Sequence, residues 1–432
     1  MSFDTLAARI AEGPIRLLNA TVPACLLGQP GDLVLRDISI AEGRIAESGG
    51  ATLDLGGAMV FPAFVDMHAH LDKGHIWDRA PNPDGTFLGA LGAVRADTEA
   101  NWSADDVRRR ADFSLRCAFA HGTRAIRTHI DSRPPQDDIS WPVFRALRAD
   151  WAGRIDLQGV CLIGIDSFSE HGAFAHTADL VAASGGVLGM VTYPVPELRA
   201  HLRAFFRMAE ARGLAADFHV DETMDPASET LRAIAETVLE TGFAEPVVVG
   251  HCCSLSTQDE ARAFDTLDLV AKAGIHVVSL PMCNLYLQDR HAGRTPRGRG
   301  ITLVHEMRAR GIPVAFASDN TRDPFYAYGD MDMIEVLREA TRIGHLDHSR
   351  EDWASSVLCT PTDACGFAVQ DIAPGHPADL VICRARSWTE LFARPQADRI
   401  VLRGGVPIDR TLPDYAELDD LMIKTAIPEP AQ

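Results

Sequence analysis

Two histidines separated by one small residue, His68-Ala69-His70, close the apolar run Val60-Phe61-Pro62-Ala63-Phe64-Val65-Asp66-Met67. A strand sends residues i and i+2 to one face, so both imidazoles can reach one cation where the strand stops. Alone, the pattern is weak. It gains weight because His219, His251 and Asp319 also stand at the ends of short apolar runs. Imidazole nitrogens with one carboxylate suit zinc or ferrous iron, and an open position can hold a water whose pKa falls toward neutrality.

Glu222 follows His219 by three residues, in His-Val-Asp-Glu, and can lean over such an ion as a proton shuttle. Asp221, between them, reads as structural. His129, in Arg127-Thr128-His129-Ile130-Asp131, is either a support for the ligands or a satisfied polar residue. Two absences narrow the chemistry. His305-Glu306-Met307-Arg308-Ala309 lacks the second histidine of a zincin helix. Lysine occurs only at 73, 272 and 424, so the middle strands offer none to carboxylate as a bridge between two metals, and a mononuclear centre is expected.

Positioning these side chains requires many strands ending on one rim. Eight short apolar runs serve: Phe61–Met67, Thr123–Thr128, Leu157–Ile163, Val187–Thr192, Ala215–Val220, Val247–Gly250, His276–Leu280 and Val314–Ala317. Helical stretches such as Asp105–Ala120, Glu197–Ala211, Thr230–Glu240 and Gln258–Ala273 separate many of them. Near-continuous apolar strands joined by helices call for a parallel sheet covered on both faces, and eight suggest an α/β fold, a closed (β/α)8 TIM-like barrel with its site at the carboxyl ends of the strands. Short β-like fragments before residue 60 and after residue 375 can pair. The expected organisation is a small β-sandwich domain from 1–60 and 375–432 around a barrel spanning 61–374.

The 432 residues carry a net charge of -19, which disfavours nucleic acid and anionic membranes as partners and leaves a small-molecule ligand. Met1 to Asn19 shows no basic segment followed by a long apolar core, and no apolar span is long enough for a membrane, so a cytoplasmic location is expected. The nine cysteines include no Cys-x-x-Cys pair and read as small hydrophobes.

The chain resembles the amidohydrolase superfamily, and within it the cytosine deaminase-like metal-dependent hydrolases. The likeness is carried by Val65-Asp66-Met67-His68-Ala69-His70-Leu71-Asp72-Lys73, Arg127 to Asp131, His219 to Glu222, Gly250-His251, Asn284 to Gln288 and Ser318 to Phe325. The resemblance implies that His68, His70, His219 and Asp319 bind one divalent metal ion, zinc or iron, while Glu222, His251 and Asp319 serve catalysis. His251 and Asp319 would orient and deprotonate a water that attacks the ring carbon bearing an amino group. Glu222 would protonate the adjacent ring nitrogen, and ammonia would leave. The implied activity is hydrolytic deamination of cytosine or a related N-heterocyclic amidine. The alternative is hydrolysis of a ring amide, or of a substituted amine on a triazine-type ring.

The substrate side departs from the cytosine deaminase pattern. Gly164, after Leu162 and Ile163, stands where those enzymes have a glutamine, and Asn320 replaces an acidic residue. Phe325 stands where tryptophan is usual, Phe87 occupies another pocket position, and Lys73 joins this set of substrate-binding candidates. Losing an amide that pairs with a polar ring edge costs a cytosine site heavily, so room left by Gly164 is expected to admit a larger heterocycle. Related enzymes assemble, which makes a homo-oligomer the expected state.

Overall fold

The computed structural model describes residues 3–29, 31–166, 172–349, 351–395 and 398–423. Among them, eight parallel strands form a ring: β1 Phe64–Ala69, β2 Thr123–Asp131, β3 Asp156–Leu162, β4 Leu188–Thr192, β5 Ala216–Val220, β6 Val247–His251, β7 His276–Ser279 and β8 Val314–Phe316. Continuous ladders join β1 through β3 and β4 through β8. Isolated parallel bridges supply the two seams: Val160 to Val187 and Gly164 to Val191 beside β3 and β4, and Ala69 to Asp319 from the end of β8 back to β1. The second seam sets Asp319 next to the His-x-His pair.

Every residue of β5 and β6 is buried, which is why these strands read as unbroken apolar runs rather than alternating ones. The expected helices form at Ala104–His121, Leu198–Glu210, Thr230–Thr241 and Glu260–Lys272, shifted by a residue or two at their ends. Local chemistry sets those ends. Ser103 accepts a hydrogen bond from the Asp106 amide at one terminus of the first helix, and Gly122 closes the other at φ 99° before β2 begins. A Cβ on Gly122 would stand 2.5 Å from Val381 Cγ2, so glycine is also what lets the barrel floor meet the terminal domain.

That terminal β-sandwich domain is threaded by one eight-stranded sheet drawn from both chain ends. Strand Met59–Pro62 pairs antiparallel with Leu380–Cys383, joining the two ends of the sequence. The run Phe61–Met67 therefore does not form one strand. It divides at Ala63, with Phe61 and Pro62 in the terminal sheet and Phe64 onward in the barrel. Both halves are fully buried, so no change of apolar period marks the break. No helix among the described residues is long and apolar enough to cross a membrane.

Candidate metal and catalytic site

His68, His70, His219 and Asp319 converge. His219 Nε2 lies 3.1 Å from His68 Nε2 and 3.3 Å from His70 Nε2. Asp319 Oδ1 lies 3.2 Å from His70 Nε2 and 3.6 Å from His68 Nε2. Ligands held about 2.0–2.1 Å from a tetrahedral ion stand roughly 3.3 Å apart, so the spacing fits a metal ion. Burial and the neighbouring imidazoles push His68, His70 and His219 well below the ordinary histidine range, into the neutral form that ligates. Buried Asp319 has no strong hydrogen-bond donor, only the weak Cys283 thiol, an unfavourable state for a carboxylate that a cation would relieve.

The elements that aim these groups can be read from the backbone. Asp319 follows β8 at φ 63° and His251 ends β6 at φ 68°, left-handed conformations that non-glycine residues adopt at a cost of order 1–3 kcal/mol. Ser318 donates from its amide and hydroxyl to the Asp66 carboxylate, tying β8 to β1 beneath the histidines. Gly250 packs tightly on the site, since a Cβ there would lie 3.0 Å from His68 Cε1. Asp221 accepts hydrogen bonds from Ser228 Oγ, the Thr230 amide and hydroxyl, and the Leu231 amide, so it caps the helix after β5 as expected of a structural residue. His129 lies in one cluster of ligand-type nitrogens with His68, His70 and His219, its ring packed on His68 at a centroid distance of 3.9 Å and its Nε2 3.3 Å from Asp217 Oδ1. Asp217 is in turn held by Arg127 at 2.8 Å.

Glu222 and His251 meet through Asn284. The Asn284 amide nitrogen lies 3.3 Å from Glu222 Oε1 and 2.9 Å from His251 Nδ1, and Gln288 Nε2 donates to the Glu222 carbonyl at 3.2 Å. Burial first, and then the charge of Asp319, raise the Glu222 carboxyl well above its ordinary range. Burial, and then the neighbouring His129, lower His251 to about 3. Asn284 carries no charge and no family-independent spacing signal; only its place in the Asn284 to Gln288 block hinted at this role.

The expected substrate residues share the same rim but differ in freedom. Asn320 donates to Asp323 Oδ2 at 2.8 Å and accepts a weak contact from Cys283 Sγ at 3.5 Å. Phe325 and Phe87 meet edge to face at 5.5 Å, the latter opening helix Phe87–Asn101. Lys73 Nζ lies 3.3 Å from Asp131 Oδ1 and 5.4 Å from the centre of the Phe325 ring. Burial opposes its charge, but Asp131, Asp72 and Asp323 outweigh that cost and raise its pKa. Leu162 is half-buried at the end of β3. At Gly164 the expectation of open room is corrected: a Cβ there would meet Asp166 Oδ1 at 2.6 Å and Tyr193 Oη at 3.0 Å. The absent side chain's space is filled by a carboxylate two residues on and a hydroxyl just past β4.

The chain belongs to the amidohydrolase family, whose sequence profile matches residues 165–409. It is 54% identical over 420 residues to a pterin deaminase of Rhizobium rhizogenes, covering 94% of this chain and 96% of that one. An N-isopropylammelide isopropyl amidohydrolase of Pseudomonas sp. is 21% identical over 84% of this chain and 87% of its own length. The fold matches that of a 5-methylcytosine deaminase from Klebsiella pneumoniae solved with 5-fluorocytosine, with a TM-score of 0.79 and 24% identity over 92% of this chain and 98% of that one.

Proposed function

We propose that the protein is a hydrolytic deaminase of an aminated N-heterocycle of the pterin class. The observation that carries the chemistry is the convergence of His68, His70, His219 and Asp319 beside the Glu222–Asn284–His251 triplet. The substrate class rests on the 54% identity to a pterin deaminase over nearly the full chain. Pterin carries its amino group on a ring carbon between two ring nitrogens, so replacing ammonia by water there is the same reaction type as cytosine deamination.

When bound, one divalent ion, zinc or iron, on His68, His70, His219 and Asp319 supplies the Lewis acidity that brings a water's pKa toward neutrality. Asp319 and His251 would orient a water at this site, and Asp319 would accept its proton. Glu222 places its proton on the ring nitrogen next to the attacked carbon, which withdraws electrons from that carbon, and Asn284 holds Glu222 and His251 in mutual register. Phe87 and Phe325 flank the ring as apolar walls. Cytosine is the weaker fit, because the corner at Gly164 offers Asp166 and Tyr193 in place of an amide.

Ammonia release assayed across pterins, cytosine, aminotriazines and purines tests this reading. Turnover of pterins well ahead of cytosine is expected. Turnover of cytosine with silence on pterins would reassign the substrate, and a ring-opened product would replace deamination by ring-amide hydrolysis.

A further inference from the structure

Glu222, Cys283 and Asp319 present ligand-type atoms that all lie within 4.8 Å of one another, a set separate from the three histidines. Cys283 sits one residue before Asn284 on helix Pro281–Leu287 and is 1% exposed. Its thiol contacts Asn320 Oδ1 at 3.5 Å and the Phe325 carbonyl at 3.7 Å, and it also faces the Asp319 carboxylate, whose charge adds to burial in raising it. Asp319 approaches His68 and His70 through Oδ1, which leaves Oδ2 for a second contact on the side of the Cys283 thiol. A carboxylate can bridge two cations in this way. One thiol with two carboxylates is a donor set that prefers zinc or cadmium over magnesium.

We infer that Glu222, Cys283 and Asp319 form a second, inhibitory site for a thiophilic divalent cation, sharing Asp319 with the catalytic centre. The inference rests on the reading of Asp319 as a ligand of that centre. Binding displaces the Cys283 thiol proton to solvent, together with the Glu222 proton when that carboxyl carries one, and the ion gains a sulfur and two oxygen ligands. The occupied Glu222 can no longer deliver a proton to the ring. Excess zinc or cadmium therefore stops turnover without removing the resident metal, in competition with substrate. No carboxylated lysine bridge is involved, since lysine is absent between residues 73 and 272.

The test is titration of the metal-loaded enzyme with cadmium, counting both metals after gel filtration and following pterin turnover and the ultraviolet cadmium–thiolate absorption. About one cadmium is expected to add per chain while the resident ion is retained, with turnover abolished. Cys283→Ser and Cys283→Ala are expected to lose the absorption band and to weaken cadmium uptake by more than the roughly 10–100-fold that removal of an outer support costs. Magnesium should not inhibit. Because uptake and absorption do not depend on turnover, a variant of low activity still reports. Cadmium that merely replaces the resident metal, or binds both variants as tightly as the parent, overturns the site. Cys283-dependent cadmium uptake by a protein that retains no resident metal would instead overturn the catalytic reading and leave this site standing.

Discussion

Two groups of buried ionisable side chains lie within the same barrel and are built in opposite ways. In the first, Arg79 forks onto Asp97 and Asp106, and Arg110 binds Asp106 together with the Asp72 and Gly74 carbonyls. Asp97 also accepts from Trp102 Nε1 at 2.8 Å and Asn101 Nδ2 at 2.7 Å. Burial alone would raise the Asp106 carboxyl, but the two guanidiniums outweigh it and hold it below the ordinary carboxylate range. In the second group, Asp319 and Glu222 have no guanidinium, and burial drives both upward. Charges meant to hold a fold are matched one against another, whereas charges meant for chemistry are left unmatched until a cation or substrate arrives.

The contrast predicts different kinds of failure. His219→Ala removes a ligand from the unmatched group, so metal content and turnover should both fall to background while the chain stays folded; metal analysis with a melting curve checks this. An active, metal-loaded His219→Ala protein would break the contrast. Glu222→Gln keeps the shape and hydrogen-bonding reach of the side chain but not its transferable proton. It should retain the metal and lose about 10²–10⁴ in kcat, the usual worth of a positioned proton carrier.

Asp97→Ala strikes the matched group instead. It leaves Arg79 buried against a single remaining carboxylate and strips Trp102 Nε1 of its acceptor, so unfolding in urea should show a loss of about 3–5 kcal/mol. Metal content and kcat of the folded fraction should stay at the parent's level. A variant that unfolds normally but loses its metal would show that the two groups are coupled through Arg110 and the loop at Asp72 and Gly74.

The unmatched group was far more legible in the sequence than the matched one. His68, His70, His219, His251 and Asp319 announce themselves because each is a polar residue ending an apolar run, and the barrel sets all such ends on one rim. Asn284, Asp217 and Arg127 carry no such mark, because their partners come from other elements: 33 positions separate Asn284 from His251, and 90 separate Arg127 from Asp217. The break at Ala63 was hidden for a different reason: strands buried on both faces have no alternation to lose. Gly164 misled because the absence of a side chain says nothing about what fills the gap, and Asp166 with Tyr193 fills it.

The matched carboxylates also carry a pH signature, clearest at Asp332. Its oxygens take both guanidinium arms of Arg399, which joins the terminal domain to the barrel, and Oδ1 caps helix Met333–Gly344 through the Ile334 amide at 3.0 Å. Burial opposes the charge, but Arg399, then His121, outweigh it and lower Asp332 to about 2. With an unfolded value near 3.9, the group contributes about 2–3 kcal/mol, fully present above that value and lost as pH falls through 2. Asp332→Asn should therefore narrow the stability gap between neutral and strongly acidic pH by about that amount, measured by urea unfolding at several pH values. Because burial of the asparagine beside Arg399 lowers stability at every pH, the slope is the decisive quantity. An unchanged slope would mean that the Arg399 pair is not what separates the matched carboxylates from Asp319 and Glu222.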